Sequence, residues 1–187
     1  KKRNPMSAQD IRKVQQLRYQ KDDDIRWLIA LLSDTGMLLA EAAGLAKEDV
    51  FLNTEIPYVR LCERPWRPLK TINSERHVPL VGVALWAAKR ACESSPDDYL
   101  FPRYCSKAKC KADYASNTLN KWLRYHVPKG CVIHSFRHSL RDRLRAIECP
   151  AEVIDKIGGW QTKGVGSQYG VGYPLQLKEK WMLKMIL

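Results

Sequence analysis

Apolar side chains recur every three or four positions over several stretches of the chain, and this spacing predicts amphipathic helices. The first helix follows Ser7, which can cap it, and buries Ile11 and Val14. The second begins at the acidic residues 22–24, whose carboxylates favour a helix N-terminus, and ends near Gly36. The same periodicity predicts five later helices, at residues 83–92, 118–125, 133–147, 151–157 and 175–187.

Two segments have the pattern of β-structure instead. Residues 57–62 alternate between the two faces expected of a strand. Residues 69–71 and 75–80 flank Ile72-Asn73-Ser74, whose composition predicts a hairpin turn. The chain has no internal repeat and no low-complexity tract, so we interpret residues 7–187 as one domain and residues 1–6 as a tail or linker remnant.

The net charge of the chain indicates which class of molecule it binds. The chain of 187 residues carries 32 Lys and Arg against 20 Asp and Glu, a formal net charge of +12. Such an excess favours a polyanion, because each neutralised phosphate releases counterions. The longest apolar run, residues 27–32, is far shorter than the ~18–20 residues that span a bilayer. The basic N-terminus is not followed by an apolar region, so we expect no secretory signal, no membrane contact and a cytoplasmic protein.

The six cysteines and the acidic triplet do not have the spacing of a metal site. There is no C-x-x-C motif, and Cys105 and Cys110 lack a neighbouring Cys/His pair. We therefore expect free thiols, no metal and no cofactor, with the carboxylates of residues 22–24 serving the helix dipole.

One stretch near the C-terminus carries candidate chemistry, because it collects His134, Arg137, Trp160 and Tyr169 within 36 residues. A tyrosine hydroxyl can attack phosphorus if nearby donors neutralise the non-bridging oxygens. Arginine suits this task, since its planar fork offers paired donors to two oxygens. The alternative is structural: the two aromatic residues belong to a core and the histidine caps a helix.

The order and spacing of these residues resemble the active-site box of the tyrosine recombinases, or phage integrases. The box reads His134-x-x-Arg137-His138, with Trp160 and then Tyr169 following. The resemblance implies a mainly α fold with a small antiparallel β-hairpin sheet (α+β), an integrase-like catalytic domain. Family members usually carry a separate N-terminal DNA-binding domain, which we expect to be absent from this sequence.

Two earlier stretches are also similar to this family. Residues 35–45 follow the form T-G-x-R-x-x-E-x-x-x-L and supply Glu41, but Leu38 stands where the family has its first catalytic arginine. Residues 70–80 match K-T-x-x-S-x-R-x-V-P-L, beginning with Lys70.

The resemblance implies site-specific DNA recombination or integration, by strand cleavage and rejoining through a 3′-phosphotyrosine. Tyr169 would attack the phosphodiester of double-stranded DNA, and a homo-oligomer would assemble on that DNA. The implied supporting groups are Arg137, His134 and Trp160 on the non-bridging oxygens, Lys70 at the leaving oxygen, and Glu41 and His138 behind them.

Leu38 bears directly on the expected activity, because leucine cannot bind a phosphate and would leave Glu41 without a cationic neighbour. The position could reflect natural decay, engineered inactivation, or replacement by another arginine such as Arg26 or Arg60. The alternative function is a catalytically silent DNA-binding module. A type IB topoisomerase fits less well, given the short domain and the K-T pattern.

Two features outside the motifs stay open. Arg141, Arg143 and Arg145 share a helix with Arg137 and are interpreted as surface charges. The apolar C-terminal helix could pack on its own domain or on a neighbouring protomer.

Overall fold

A computed structural model of the chain describes residues 4–71, 74–161 and 173–187. The helices are α1 (Ala8–Gln16), α2 (Asp24–Thr35), α3 (Leu39–Ala43), α4 (Gly82–Ser94), α5 (Ala112–Leu123), α6 (Ser135–Ala146), α7 (Ala151–Gly158) and α8 (Leu175–Lys184). Short 3-10 turns cover Leu17–Tyr19 and Lys47–Asp49. The strands are β1 (Val50–Phe51), β2 (Tyr58–Leu61) and β3 (Arg76–Pro79).

Helix α2 lies at the centre of the core, between α4 and α6. Its residues from Leu28 to Thr35 are all buried, as expected of a helix that is covered on every side. Gly36 ends it in the left-handed conformation, with φ of +63°. A Cβ at this position would lie 2.7 Å from the side chain of Leu140, so the glycine also lets α6 approach closely.

The sheet is antiparallel with order β1-β2-β3, and it confirms the mainly α fold with a small sheet. Strands β2 and β3 pair in the register Val59↔Val78. Lys70 and Thr71 lie in the long connection between them, so the predicted pairing of residues 69–71 with 75–80 is wrong. Pro65 and Pro68 cannot donate backbone hydrogen bonds, which disfavours a regular strand just before Lys70.

The two ends of the described chain pack on the same body. Met6 is 5% exposed and exchanges backbone hydrogen bonds with the hydroxyl of Ser139. Helix α8 packs against β3 of its own chain, and Met182 on α8 and Met185 directly after it are both buried. Within the described residues, no helix is both long enough and apolar enough to cross a bilayer.

Candidate active site

The site is built around the first turn of α6, where Arg137 is held. Its side chain is 8% exposed, and one guanidinium nitrogen donates to the carbonyl of Gly36 at 2.7 Å. The left-handed turn at Gly36 aims this carbonyl at α6, because it reverses the chain direction directly after α2. The element that opens the T-G-x-R motif therefore positions the arginine of the C-terminal box.

Trp160 covers the same guanidinium. The centroid of its indole lies 4.3 Å from the guanidinium carbon of Arg137 and 4.9 Å from that of Arg141. Arg141 in turn donates to the carboxylate of Asp155 on α7 at 3.1 Å. In this arrangement the indole orients two arginines, since a cation over an aromatic face is attracted by the ring.

A buried ion pair joins the two halves of the site. Arg76 on β3 donates from both terminal nitrogens to the carboxylate of Glu41 on α3, at 3.0 and 2.9 Å. Its third nitrogen donates to the carbonyl of Ile157 at 2.9 Å. The expectation that Leu38 leaves Glu41 without a cation is therefore wrong, because Arg76 occupies that role.

The pair of glycines at the C-terminal end of α7 makes this assembly possible. A Cβ at Gly158 would lie 1.9 Å from the Trp160 ring, so a side chain there would exclude the indole. Gly159 takes φ of +67°, and a Cβ on it would lie 2.8 Å from the guanidinium of Arg76. Each glycine thus leaves room for one functional side chain.

Leu38 lies next to this ion pair but contributes only its backbone. It is half-buried at the residue that precedes α3, and its N–H donates to the Glu41 carboxylate at 2.8 Å. Glu41 consequently receives three hydrogen bonds, two from Arg76 and one from Leu38. The leucine side chain has no polar atom to offer a phosphate.

The electrostatics of the site centre on Arg137. Burial chiefly, and the nearby positive charge of Arg76 next, lower the pKa of Arg137 to about 10, while Glu41 acts in the opposite direction. Among the described residues no carboxylate forms an ion pair with Arg137, whereas the buried arginines Arg67, Arg76 and Arg143 each have one. A desolvated guanidinium whose acceptor within the described part of the chain is one neutral carbonyl is well suited to receive an anion.

The remaining predicted residues lie at different positions. His134 directly precedes α6, and its ring meets that of exposed His138 at 5.1 Å between centroids. A pocket of about 340 Å³ opens beside His134. Lys70 lies on an exposed bend, and Tyr169 falls outside the described residues.

The two suggested substitutes for the missing arginine are engaged elsewhere. Arg26 forms an ion pair with Asp23 at 3.0 Å and lies over Trp122. Arg60 is on β2, with its guanidinium carbon 5.6 Å from the centroid of Phe51. The arginines whose charges act on Arg137 are instead Arg76 and Arg141.

Three arginines with contacts around the site were not identified from the sequence. Arg76 is part of the K-T-x-x-S-x-R pattern, and that motif position was the available signal. Arg141 shares Trp160 with Arg137. Arg143 is 9% exposed and pairs with Asp34 at 2.9 Å, so its interpretation as a surface charge is wrong. At helical spacing Arg143 falls on the same side as Leu140 and Leu144, which in retrospect marks it as buried.

This geometry can be compared with known proteins. A profile of the phage integrase family matches residues 6–170, nearly the whole chain. The chain belongs to the phage integrase family. The match extends over all three integrase-like stretches, including the position of Tyr169. A comparison with curated proteins found no significant match.

Solved structures of integrase-type proteins have the same fold. XerA recombinase superposes with a TM-score of 0.65 at 16% identity, covering 85% of this chain and 55% of that chain. The Tn1549 transposon integrase, in complex with a circular intermediate DNA, gives 0.64 at 16% identity over 90% of this chain and 64% of that one. XerH site-specific recombinase, bound to palindromic difH substrate in a post-cleavage complex, gives 0.64 at 16% identity over 87% and 48%. The chain thus spans about half to two-thirds of the length of these proteins.

Proposed function

We propose that this integrase-family domain acts in site-specific DNA recombination, by breaking and rejoining DNA through a 3′-phosphotyrosine at Tyr169. The hydroxyl of Tyr169 would attack a phosphodiester, and the bond to the 5′-oxygen would break. A 5′-hydroxyl of a second strand would then attack the phosphotyrosine and restore the tyrosine. Bond energy is retained in the intermediate, so the cycle requires no nucleotide cofactor.

The observation that supports this proposal most strongly is the condition of Arg137. Its guanidinium is desolvated, its pKa is lowered to about 10, and its hydrogen-bond acceptor within the described ranges is a neutral carbonyl. An arriving phosphate would supply the missing negative charge and two acceptor oxygens at once. In a buried setting that interaction is much stronger than at an exposed arginine.

The other residues receive roles according to their positions. His134, at the start of the same helix, would donate to a non-bridging oxygen. Trp160 would hold the plane of Arg137 through the contact at 4.3 Å. Lys70, on its exposed bend in the β2–β3 connection, would assist the leaving 5′-oxygen.

Two residues would act behind these groups. Glu41 would fix Arg76, and through it the end of α7 that leads to Trp160. His138, which is exposed and packs edge-on against His134, would support that ring.

We further propose that Leu38 impairs this activity. Loss of one charge-assisted donor to a transition state typically costs on the order of 3 kcal/mol, or about a hundredfold in rate. The geometry around Glu41 makes the deficit reversible in principle. Because Arg76 already forms an ion pair with Glu41 through two hydrogen bonds, an arginine side chain introduced at position 38 would remain available to a phosphate.

The alternative is a catalytically silent DNA-binding module on the same fold. The apolar side chain of Leu38, half-buried beside an otherwise complete arginine cluster, favours this alternative. Such a module would retain the affinity that comes from phosphate contacts and its dependence on salt. In either case the expected partner is double-stranded DNA, on which a homo-oligomer would assemble.

Covalent capture tests the two functions against each other. Because the target sequence is unknown, the protein is incubated with a pool of nicked duplexes of random sequence, and DNA that stays attached in detergent is recovered. The parent chain is compared with Tyr169→Phe, Leu38→Arg and Arg137→Lys. Arg145→Lys is the matched control, because Arg145 is exposed on the same helix.

The recombinase proposal predicts a covalent DNA adduct with Leu38→Arg and at most a weak adduct with the parent chain. The double variant Leu38→Arg/Arg145→Lys should form as much adduct as Leu38→Arg. An adduct that survives Tyr169→Phe would disprove the assignment of the nucleophile. Absence of an adduct from every variant, together with salt-sensitive DNA binding, would establish the silent module instead.

A further inference from the structure

Cys105 and Cys110 face each other across a small β-hairpin that neither the fold nor the candidate site explains. The two residues are partners in an isolated antiparallel bridge. The backbone bonds that form the bridge lie on either side of the pair: Lys111 N–H donates to the Tyr104 carbonyl at 2.7 Å, and Ser106 N–H to the Lys109 carbonyl at 3.2 Å. Cys105 and Cys110 thus form a non-hydrogen-bonded pair, the type in which opposite side chains come closest.

This arrangement has the dimensions that a disulfide needs. Opposite Cα atoms at a non-hydrogen-bonded position are typically about 4.5 Å apart, with both side chains on the same face. Disulfides usually join Cα atoms about 4.4 to 6.8 Å apart. No other two cysteines among the described residues are partners in a β-bridge.

The two thiols also differ in reactivity. Interaction between the two neighbouring thiols raises the pKa of Cys105 and lowers the pKa of Cys110, and the buried guanidinium of Arg67 also lowers the pKa of Cys110. Cys110 is half-buried, whereas Cys105 is 3% exposed. Cys110 therefore has the features of an attacking thiol, and Cys105 those of a resolving thiol that waits behind it.

We propose that Cys105 and Cys110 are a redox pair, which a small-molecule disulfide converts to an intrachain disulfide. The Cys110 thiolate attacks one sulfur of the small disulfide, forms a mixed disulfide and releases one small thiolate. Cys105 gives its proton to that thiolate and attacks the Cys110 sulfur, forming the Cys105–Cys110 bond and expelling the second small thiolate, which takes a proton from water. Two electrons pass from the cysteines to the small disulfide, so the step balances and is reversed by small thiols.

A metal site is the other use that two neighbouring thiols might have. No group of three or more His, Cys, Asp or Glu side chains with the geometry of a metal site occurs among the described residues. A structural zinc usually requires four ligands, so this pair favours redox chemistry.

Oxidation of the Cys105–Cys110 pair would affect the candidate active site through its contact with α3. In the reduced form the thiol of Cys110 lies 3.8 Å from the carbonyl oxygen of Ala40, and the backbone N–H of Cys110 donates to the carbonyl of Trp66. Forming the disulfide removes the thiol hydrogen that faces Ala40, two residues from Leu38. It also fixes the base of a hairpin whose tip carries Lys107 and Lys109.

The test uses the folded full chain in buffers with graded ratios of oxidised to reduced glutathione. Samples are quenched with acid, free thiols are blocked and the chain is digested with trypsin. Cleavage after Arg103, Lys107, Lys109 and Lys111 separates the two cysteines, so the disulfide is seen as peptide 104–107 linked to peptide 110–111. We expect the linked peptides to exceed the Cys110–glutathione adduct by about tenfold or more, because the second attack is intramolecular.

Variants decide the order of attack. Cys105→Ser should accumulate the glutathione adduct on Cys110, Cys110→Ser should leave Cys105 unmodified, and Cys149→Ser, a buried cysteine elsewhere, should leave the linked peptides unchanged. Cys105 is buried, so the Cys110→Ser result serves as a test that does not depend on the folding of the Cys105→Ser variant. A stable glutathione adduct on Cys110 of the parent chain would overturn the proposal, as would no loss of thiol from either residue at ratios that modify Cys92.

Discussion

Two arginines on α6, Arg137 and Arg143, have nearly the same burial and opposite surroundings. They are 8% and 9% exposed. Arg143 pairs with Asp34 and donates to the carbonyls of Ser33 and Met185, whereas Arg137 donates to the Gly36 carbonyl. The charge of Arg143 is compensated by a carboxylate, whereas no carboxylate of the described residues pairs with Arg137. This contrast distinguishes a structural arginine from a candidate binding residue at the same depth.

The contrast predicts opposite effects of removing each charge. Arg143→Met should lower the free energy of unfolding by about 3 to 5 kcal/mol, because it leaves the Asp34 carboxylate buried and unpaired. Arg137→Met should leave the free energy of unfolding within about 1 kcal/mol of that of the parent. The loss of one hydrogen bond is offset because the variant no longer has the cost of burying a charge at this position. Urea denaturation at neutral pH measures both. A loss at Arg137→Met as large as that at Arg143→Met would mean that Arg137 is structural.

The ion pair between Glu41 and Arg76 gives a second prediction for single residues. Glu41→Gln alone should destabilise the chain by on the order of 3 kcal/mol, because it leaves a buried guanidinium without its counter-ion. Adding Arg76→Met should recover part of that loss, which gives a coupling of about 1 to 3 kcal/mol in a double-mutant cycle.

The matched control for that cycle is the exposed pair Asp142–Arg145, whose nearest charged atoms are 3.8 Å apart. Its coupling should stay below about 0.5 kcal/mol, since solvent screens both charges. Additive effects of the Glu41 and Arg76 substitutions would refute the role of Arg76 as the partner that holds Glu41.

At the scale of elements, the site depends on short segments that join α2, α3, β3, α6 and α7. Gly36 aims its carbonyl at α6, and Arg76 ties β3 to both α3 and the end of α7. Helix α8 closes the assembly on the other side of β3, where buried Lys178 donates to the carbonyl of His77. The strand that carries Arg76 is therefore held from two sides.

The docking of α8 should depend on pH through Lys178. Burial chiefly, then the charges of Arg76 and Lys156, lower the pKa of Lys178 from its usual 10.5 to about 8. Between these values the unfolded chain binds more protons, so the contribution of Lys178 to stability rises with pH from about 8 to 10.5 and is constant below 8. The corresponding free energy is up to roughly 3 kcal/mol.

A comparison with Lys178→Met isolates this effect from other titrations. The stability of the variant relative to the parent should fall by up to roughly 3 kcal/mol as the pH rises from about 7.5 to 10.5. Guanidinium denaturation at a series of pH values measures the difference. A constant difference over this range would show that the packing of α8 on the rest of the chain does not desolvate Lys178.

At the scale of the whole molecule, periodicity and motifs were sufficient to predict most of the architecture. The helices at residues 83–92, 133–147 and 151–157 correspond to α4, α6 and α7 within a few residues, because their apolar spacing and end signals agree. Helix α5 begins at Ala112, earlier than predicted, since its first turns are polar and bury only Ala115. The predicted partner of β3, residues 69–71, was wrong because contacts that are distant in the sequence, rather than the adjacent turn, decide which strands pair.

The candidate site could be predicted as a set of residues but not as a set of contacts. Glu41, Arg137 and Trp160 were recognised from motif spacing. That Glu41 would be paired with Arg76, 35 residues away, depends on how β3 lies against α3 and α7. The same limit explains why Arg143 was mistaken for a surface charge: its carboxylate partner, Asp34, is 109 residues away.

We propose that Leu38 is the one residue that departs from the phosphate-binding set, and that this position limits cleavage by Tyr169. The most direct measurement is the first-order rate of covalent attachment to a nicked duplex, for Leu38→Arg relative to the parent. Gln9→Arg is the control, because it adds the same charge at an exposed position on α1. We predict an increase of about a hundredfold or more for Leu38→Arg, little change for Gln9→Arg, and no attachment in Leu38→Arg/Tyr169→Phe. Equal rates for Leu38→Arg and the parent, or attachment without Tyr169, would contradict the proposed roles of these residues.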